Sequence, residues 1–273
     1  MNSFLPARYI EHVDRMALGL EPTDALRSER IAASLAIAID GTPAEYAERA
    51  WPGDVPFADP IGRLRRVARH NSCRYVLLYR PGMKTTVNLR FFDRYRRFVP
   101  RRISYTLPPD INTPSPRVRR PAFFPGAGYD VSQSVTGLRG RVTWRQSIVD
   151  EIPARWVRIQ ASINGRIVGR AHGDDRGEFL LLLDSMAGGQ GDLPEPLDVV
   201  VTVFGPPAPE PIPAGDPLGD LPLEELVADP DDVSPGIKLP TSPPYQSTAQ
   251  SSRTVTFQLG TILTGQQKFF FNP

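Results

Sequence analysis

The sequence predicts a mainly β protein: an N-terminal antiparallel β domain with a short helix, followed by a β-sandwich carrying a long proline-rich insertion. Three observations lead there. Short segments of β-type composition recur along the chain, separated by Gly, Pro and Asp clusters. Thirty prolines in 273 residues are too many for a compact helical protein, because each fixes φ and removes a backbone donor. The apolar share of 40% and charged share of 23% are still those of a globular chain.

In chain order, residues 4–20 set Tyr9, Ile10, Val13, Met16, Ala17 and Leu20 at helical spacing, opposite Glu11, Asp14 and Arg15, which predicts the short helix. Through ERIAASLAIAIDG, residues Ile31, Ala33, Leu35, Ile37 and Ile39 alternate as in a strand closed by Asp40-Gly41, although the alanines leave a helix open. Residues 42–72 read as a long loop with at most a short helix. CRYVLLY, TTVNLRFFD and RRISYTL predict three strands of an antiparallel sheet, the first two joined by the turn Arg80-Pro81-Gly82. An N-terminal domain thus occupies residues 1–115 and runs into the extended linker PPDINTPSPRVRRP.

The second domain, residues 116–273, contains five β-type segments: GLRGRVTW, ARWVRIQASI, GRIVGRAHG, GEFLLLL and LDVVVTVFG. In RWVRIQASI, Trp156, Val157, Ile159, Ala161 and Ile163 largely alternate with Arg158, Gln160 and Ser162, giving one buried and one wet face. FLLLL is apolar throughout and is expected at a sheet centre. Twelve prolines stand between Pro206 and Pro244, among acidic residues and few aromatics. Residues 206–250 therefore read as an excursion between two strands of one sandwich, closed by RTVTFQLGTIL with Val255, Phe257 and Leu259. The three consecutive phenylalanines of QQKFFFNP require cover from this protein or a neighbour.

The formal net charge of +2 conceals a separation. From Pro60 to Arg120 sixteen Lys/Arg face only Asp93 and Asp110, whereas Asp184 to Pro235 holds twelve Asp/Glu and no basic residue. Either the two regions meet within one molecule or they address partners. The strongest chemical signal is Arg94, Arg96, Arg97, Arg101 and Arg102, interleaved with Phe91, Phe92, Tyr95, Phe98 and Tyr105. Guanidinium forks match carboxylates and phosphates, and aromatic rings stack beneath them. The fixed order of turn, proline and strand, with scarcely any lysine, favours a shaped corner for protein contacts or internal ion pairs over nucleic acid. These five arginines are the expected protein-binding residues.

Catalytic signals are few. The histidines His12, His70 and His172 stand in unrelated contexts, and no HExxH, CxxC or GxSxG pattern occurs. GAGYD at residues 126–130 lacks the strand-turn-helix setting of a dinucleotide site. In AHGDDRGEF, His172, Asp174, Asp175 and Glu178 could hold a cation or act as acid and base. The preferred reading is a structural turn made by Gly173, Asp174, Asp175 and Gly177, where Asp accepts local backbone hydrogen bonds and Gly supplies positive φ. Cys73 opens an apolar strand and reads as a buried, inert thiol. The expectation is a protein that is not an enzyme and binds no metal or cofactor. With no signal-like N-terminus and no long apolar run, the expected location is the cytoplasm, without a membrane span.

Two resemblances add to this reading. LRGRVTW…ARWVRIQASINGRIVGRAHGDDRGEFLLLL is similar to the carboxypeptidase regulatory-like domain, through Gly140 and Val142, Val157 and Ile159, then Ala171, Asp174, Gly177 and Phe179. That implies a transthyretin-like, non-catalytic sandwich. The combination of FFDRYRRFVPRRISYTLP, FFPGAGYDVS…TGLRGRV and GRAHGDDRGEFLLLL resembles proteins of extracellular contractile injection systems, the phage-tail-like particles. It implies a baseplate, cap or tail-end component whose partners are other structural subunits, assembled in the cytoplasm into a particle that is then released. A rival expectation is an accessory module for carbohydrate or cell surface, with Phe123 and Trp144 in its platform.

Overall fold

A computed structural model describes residues 15–40, 67–79, 83–108, 117–131, 134–145, 151–184, 196–213, 216–226, 240, 244–264 and 268–271. Its first half contains β1 (Met16–Leu20), β2 (Thr23–Asp24), β3 (Ala36–Ile39), β4 (Ala68–Arg69), β5 (Tyr75–Leu78), β6 (Thr86–Phe92), β7 (Arg101–Thr106), β8 (Val118–Arg119) and β9 (Ala122–Phe123). Then follow β10 (Gly137–Arg145), β11 (Glu151–Pro153), β12 (Arg158–Ile163), β13 (Arg166–His172), β14 (Glu178–Leu182) and β15 (Leu197–Phe204). The last elements are β16 (Leu223–Glu225), β17 (Ser252–Phe257), β18 (Ile262–Leu263) and β19 (Lys268–Phe271). The protein is mainly β. No α-helix occurs among the described residues, whose one helical turn is 3₁₀ at Ala249–Ser251.

The N-terminal strands form two four-stranded sheets, β4-β5-β1-β8 and β16-β7-β6-β3, the second completed by β16 of the insertion, and a two-stranded sheet β2-β9. Leu18, Leu20, Tyr75 and Leu77 of the first share a core with Ile37, Leu89, Phe91 and Ile103 of the second. The Tyr75 hydroxyl is satisfied there, donating to the Leu35 carbonyl (2.9 Å) and accepting from the Leu35 N–H (2.8 Å). The short helix expected over residues 4–20 is not present at Met16–Leu20, which is strand β1. The strand wins because β1 pairs with β5 on one side and β8 on the other, burying four consecutive residues. Residues 1–14 lie outside the described residues, as do most of the expected loop 42–72 and linker 108–121. Beyond the expected boundary at 115/116, β8 and β9 pair with β1 and β2, and Phe123 and Tyr129 join the first core.

The C-terminal sandwich packs the sheet β13-β12-β15-β17, antiparallel throughout, against a sheet built along β10. Strand β10 pairs with β14 and β11 antiparallel and with β18 and β19 parallel. Leu138, Val142, Phe179 and Leu181 meet Ile159, Val199, Val201 and Phe257 in its core. Asn164 and Gly165, both at positive φ, form the two-residue connection from β12 to β13. The insertion leaves after β15 and returns at its neighbour β17, with Leu197 opposite Phe257. The terminal phenylalanines are covered by the protein itself. Phe269 and Phe271 are buried along β10, and a side chain on Gly205 would collide with the Phe271 ring.

FLLLL sits at the end of its sheet, not its centre. Alternate residues of a strand face opposite ways, and here both faces are buried. Phe179 and Leu181 enter the second core, while Leu180 and Leu182 enter the first. Strand β14 therefore joins the two halves into one body.

Candidate binding seam between the two sandwiches

The arginine-rich segment lies along this junction. Adjacent Arg101 and Arg102 on β7 point to opposite faces, as strand geometry dictates. The Arg101 side chain is fully buried and donates through Nε (3.1 Å) and Nη2 (2.5 Å) to Glu224 Oε2. Arg158 Nη2, on β12 of the other sandwich, donates to Glu224 Oε1 (3.1 Å). A third bond runs from Arg101 Nη1 to the Ala122 carbonyl. Glu224 itself belongs to the insertion, on β16. One carboxylate thus holds three parts of the chain together.

Around this centre the other expected residues find internal partners. Arg102 bonds Asp40 (Nε–Oδ2 2.6 Å). Arg96 forks onto Asp175 (2.5 and 3.2 Å) and reaches Asp174 (3.2 Å). Arg97 is held by Asp93 (both 2.9 Å) and lies over the Tyr95 ring. Arg94 stands exposed, as does the neighbouring Tyr95. Arg101, expected to bind protein, is a guanidinium buried against a carboxylate and cannot be offered to a neighbour without breaking the fold. Arg96, Arg97 and Arg102 likewise have their forks filled. Arg158, expected on a wet face, is buried because Glu224 and the Trp156 carbonyl supply its partners.

The predicted turn joins the same network. Asp174 Oδ1 accepts the N–H groups of Arg176 (2.8 Å) and Glu178 (2.9 Å), and Gly177 has φ +72°. Burial pushes the Asp174 carboxyl up, against the pull of these N–H groups. Burial acts the same way on Asp175, but the hydrogen bond and charge of Arg96 prevail and hold it below the usual carboxylate range. A Cβ on Gly177 would come within 2.3 Å of the Val142 carbonyl oxygen. Gly177→Ala is therefore expected to lose about 2 kcal/mol, from left-handed backbone and the clash together. Urea titration checks this, and an unchanged midpoint would show that the turn relaxes freely.

His172 is fully buried, stacked on Phe124 at 3.8 Å, and its ring nitrogens have no hydrogen-bond partner among the described residues. Burial, reinforced by the charges of Arg158 and Arg101, lowers its pKa well below the ordinary value and keeps it neutral. Cys73 is buried and unbridged, its thiol donating to the Ala32 carbonyl (2.8 Å). Among the described residues no group of three or more His, Cys, Asp or Glu is placed to hold a metal, and no helix is long and apolar enough to cross a membrane.

Sequence reasoning missed the acidic partners. GDPLGDLPLEEL puts Asp216, Asp220 and Glu224 at intervals of four, with Leu218 and Leu221 between them. Arg90 bonds Asp216 through Nη1 (2.8 and 2.7 Å), and Arg155 grips Asp220 (2.6 and 2.8 Å). Leu218 and Leu221 pack with Ala38 and Trp156 in a third small core. Regular acids interleaved with leucines, in a stretch otherwise poor in core residues, were the available signal.

Where the insertion leans on the sandwich, a cleft of about 530 Å³ opens. Trp144, Ile152 and Pro153 line one side and Pro206, Pro209 and Ile212 the insertion side, with Trp156, Leu221 and Tyr245 also in its wall. Trp156 has φ +59°, unusual for so large a residue, and is held by its N–H on the Asp174 carbonyl (3.2 Å) and by Arg155 over its ring. The Tyr245 hydroxyl donates to the Trp156 carbonyl (3.1 Å), and burial pushes its pKa up to about 12. Phe123, expected in an exposed aromatic platform, is buried beside Phe91, and Trp144 is mostly covered, packed edge-on against Phe271.

Fold and seam define a β protein in which a small set of buried arginines and carboxylates ties the layers together. No family model matches the chain, and no curated protein matches it. Two solved structures show slight similarity. A 9R-lipoxygenase from Cyanothece PCC8801 is 12% identical with a TM-score of 0.21, over 51% of this chain and 16% of that one. The minor pilin GBS52 of Streptococcus agalactiae is 8% identical with a TM-score of 0.25, over 94% and 97% respectively. This chain thus spans a small part of the lipoxygenase, and neither likeness bears on function.

Proposed function

We propose that the protein is a non-catalytic structural or adaptor subunit of a contractile, phage-tail-like particle, serving as a baseplate, cap or tail-end component. The observation that carries the reading is the Arg101–Glu224–Arg158 cluster, which binds both sandwiches and the insertion into one block. The polar groups best suited to acid–base chemistry are committed to structure. His172 is walled off, Asp174 caps a turn and Asp175 holds Arg96.

The three stretches that resemble injection-system proteins also meet in space. Val99 N–H donates to the Phe124 carbonyl and Gly128 N–H to that of Arg96, while Arg96 reaches Asp174 and Asp175. Side chains on Gly126 or Gly128 would strike the carbonyls of Arg96 and Tyr95, so GAGYD is explained by close backbone approach. A shared contact set gives such a combination a structural reason to occur together.

The test is sedimentation of lysate from cells making the tagged protein at its native level. The protein should pellet with large particles and appear at one end of tail-like tubes by immunogold labelling. Recovery solely in the supernatant, with particles pelleting without it, would overturn the reading.

A further inference from the structure

We propose that the cleft at the seam takes an extended, proline- or aliphatic-rich segment of a neighbouring protein, with one lysine or arginine of that segment set against Glu210. This deepens the adaptor reading by naming the neighbour's chemistry. The volume and position suit a ligand, since binding sites favour concave junctions between packed units. Ile152 on one side (38% exposed) and Ile212 on the other (51% exposed) offer apolar surface to solvent, flanked by prolines. Such walls match proline rings and aliphatic side chains, whose extended conformation is already low in entropy.

Charge decides the rest. Arg102, Arg155, Asp175 and Asp220 line the cleft, but each is matched internally: Arg102 by Asp40, Arg155 by Asp220, and Asp175 by Arg96. Glu210 also lines it, is exposed, and has no hydrogen bond or ion pair among the described residues. Among the described residues lining the cleft the uncompensated charge is thus a single carboxylate, which selects a cation. The same accounting disfavours sugar. A carbohydrate needs many polar groups free to hydrogen-bond, and here they are spent on one another, while the Trp156 face is covered by Arg155. Trp156, in its left-handed conformation, is the kind of strained residue that gathers at ligand sites.

The experiment is fluorescence anisotropy with the full chain and a short labelled peptide of prolines and leucines around one lysine. A second peptide carries glutamate in place of the lysine. The lysine peptide should bind saturably, about tenfold more tightly than its glutamate twin. Glu210→Gln should remove that preference, and Ile212→Asp should abolish binding. Both positions are exposed, so thermal midpoints should stay unchanged. Absence of saturable binding by the lysine peptide overturns the proposal, as does binding that survives Ile212→Asp or saturable binding of cellohexaose in the peptide's place. These outcomes concern the cleft alone, whereas particle sedimentation tests the adaptor role, so either can fail without the other.

Discussion

Glu224→Ala is expected to cost about 3–5 kcal/mol of folding stability, because it strands the buried charges of Arg101 and Arg158. The loss comes less from the attraction removed than from two guanidinium groups left away from water with too few acceptors. Glu224→Gln keeps the shape and one acceptor and should cost less. Combining Glu224→Ala with Arg101→Leu should restore part of the loss, since one unpaired charge goes with its partner. Chemical denaturation of the four proteins measures this. A Glu224→Ala variant within about 1 kcal/mol of the parent would mean the insertion does not lean on β7 in solution. For the same reason Arg101→Glu should unfold the protein, so a failed partner contact in that variant would not reveal a binding surface.

Phe271→Ala should cost a comparable amount, about 3–5 kcal/mol. The ring is fully buried, packs edge-on against Trp144 at 5.0 Å and fills the space left by Gly205. Its truncation leaves a cavity that β10 and β15 cannot close without moving paired strands. Phe270, half-buried beneath Arg145 on the same strand, is the control and should cost far less when truncated. Equal losses at the two positions would show that β19 contributes only as an edge strand, without a preferred face.

Much of the strand content was legible from local pattern. Period-two alternation and the Asp174–Gly177 turn act over a few residues, so their physics is present wherever those residues stand together. The helix expected across Met16–Leu20 failed because its periodicity was short and two strands compete for the same backbone donors. FLLLL was legible as buried, but two cores, one on each face, are not recorded in a run of five apolar residues.

By itself the sequence determined a mainly β chain, the turn at Asp174–Gly177, and the presence of two opposite charge reservoirs. Only the tertiary structure decided what those charges do. Coulomb attraction does not depend on separation along the chain, and the carboxylate that claims Arg101 stands 123 positions further on. Whether an arginine faces a stranger or its own insertion follows from which surfaces close on one another, and that is a property of the folded body.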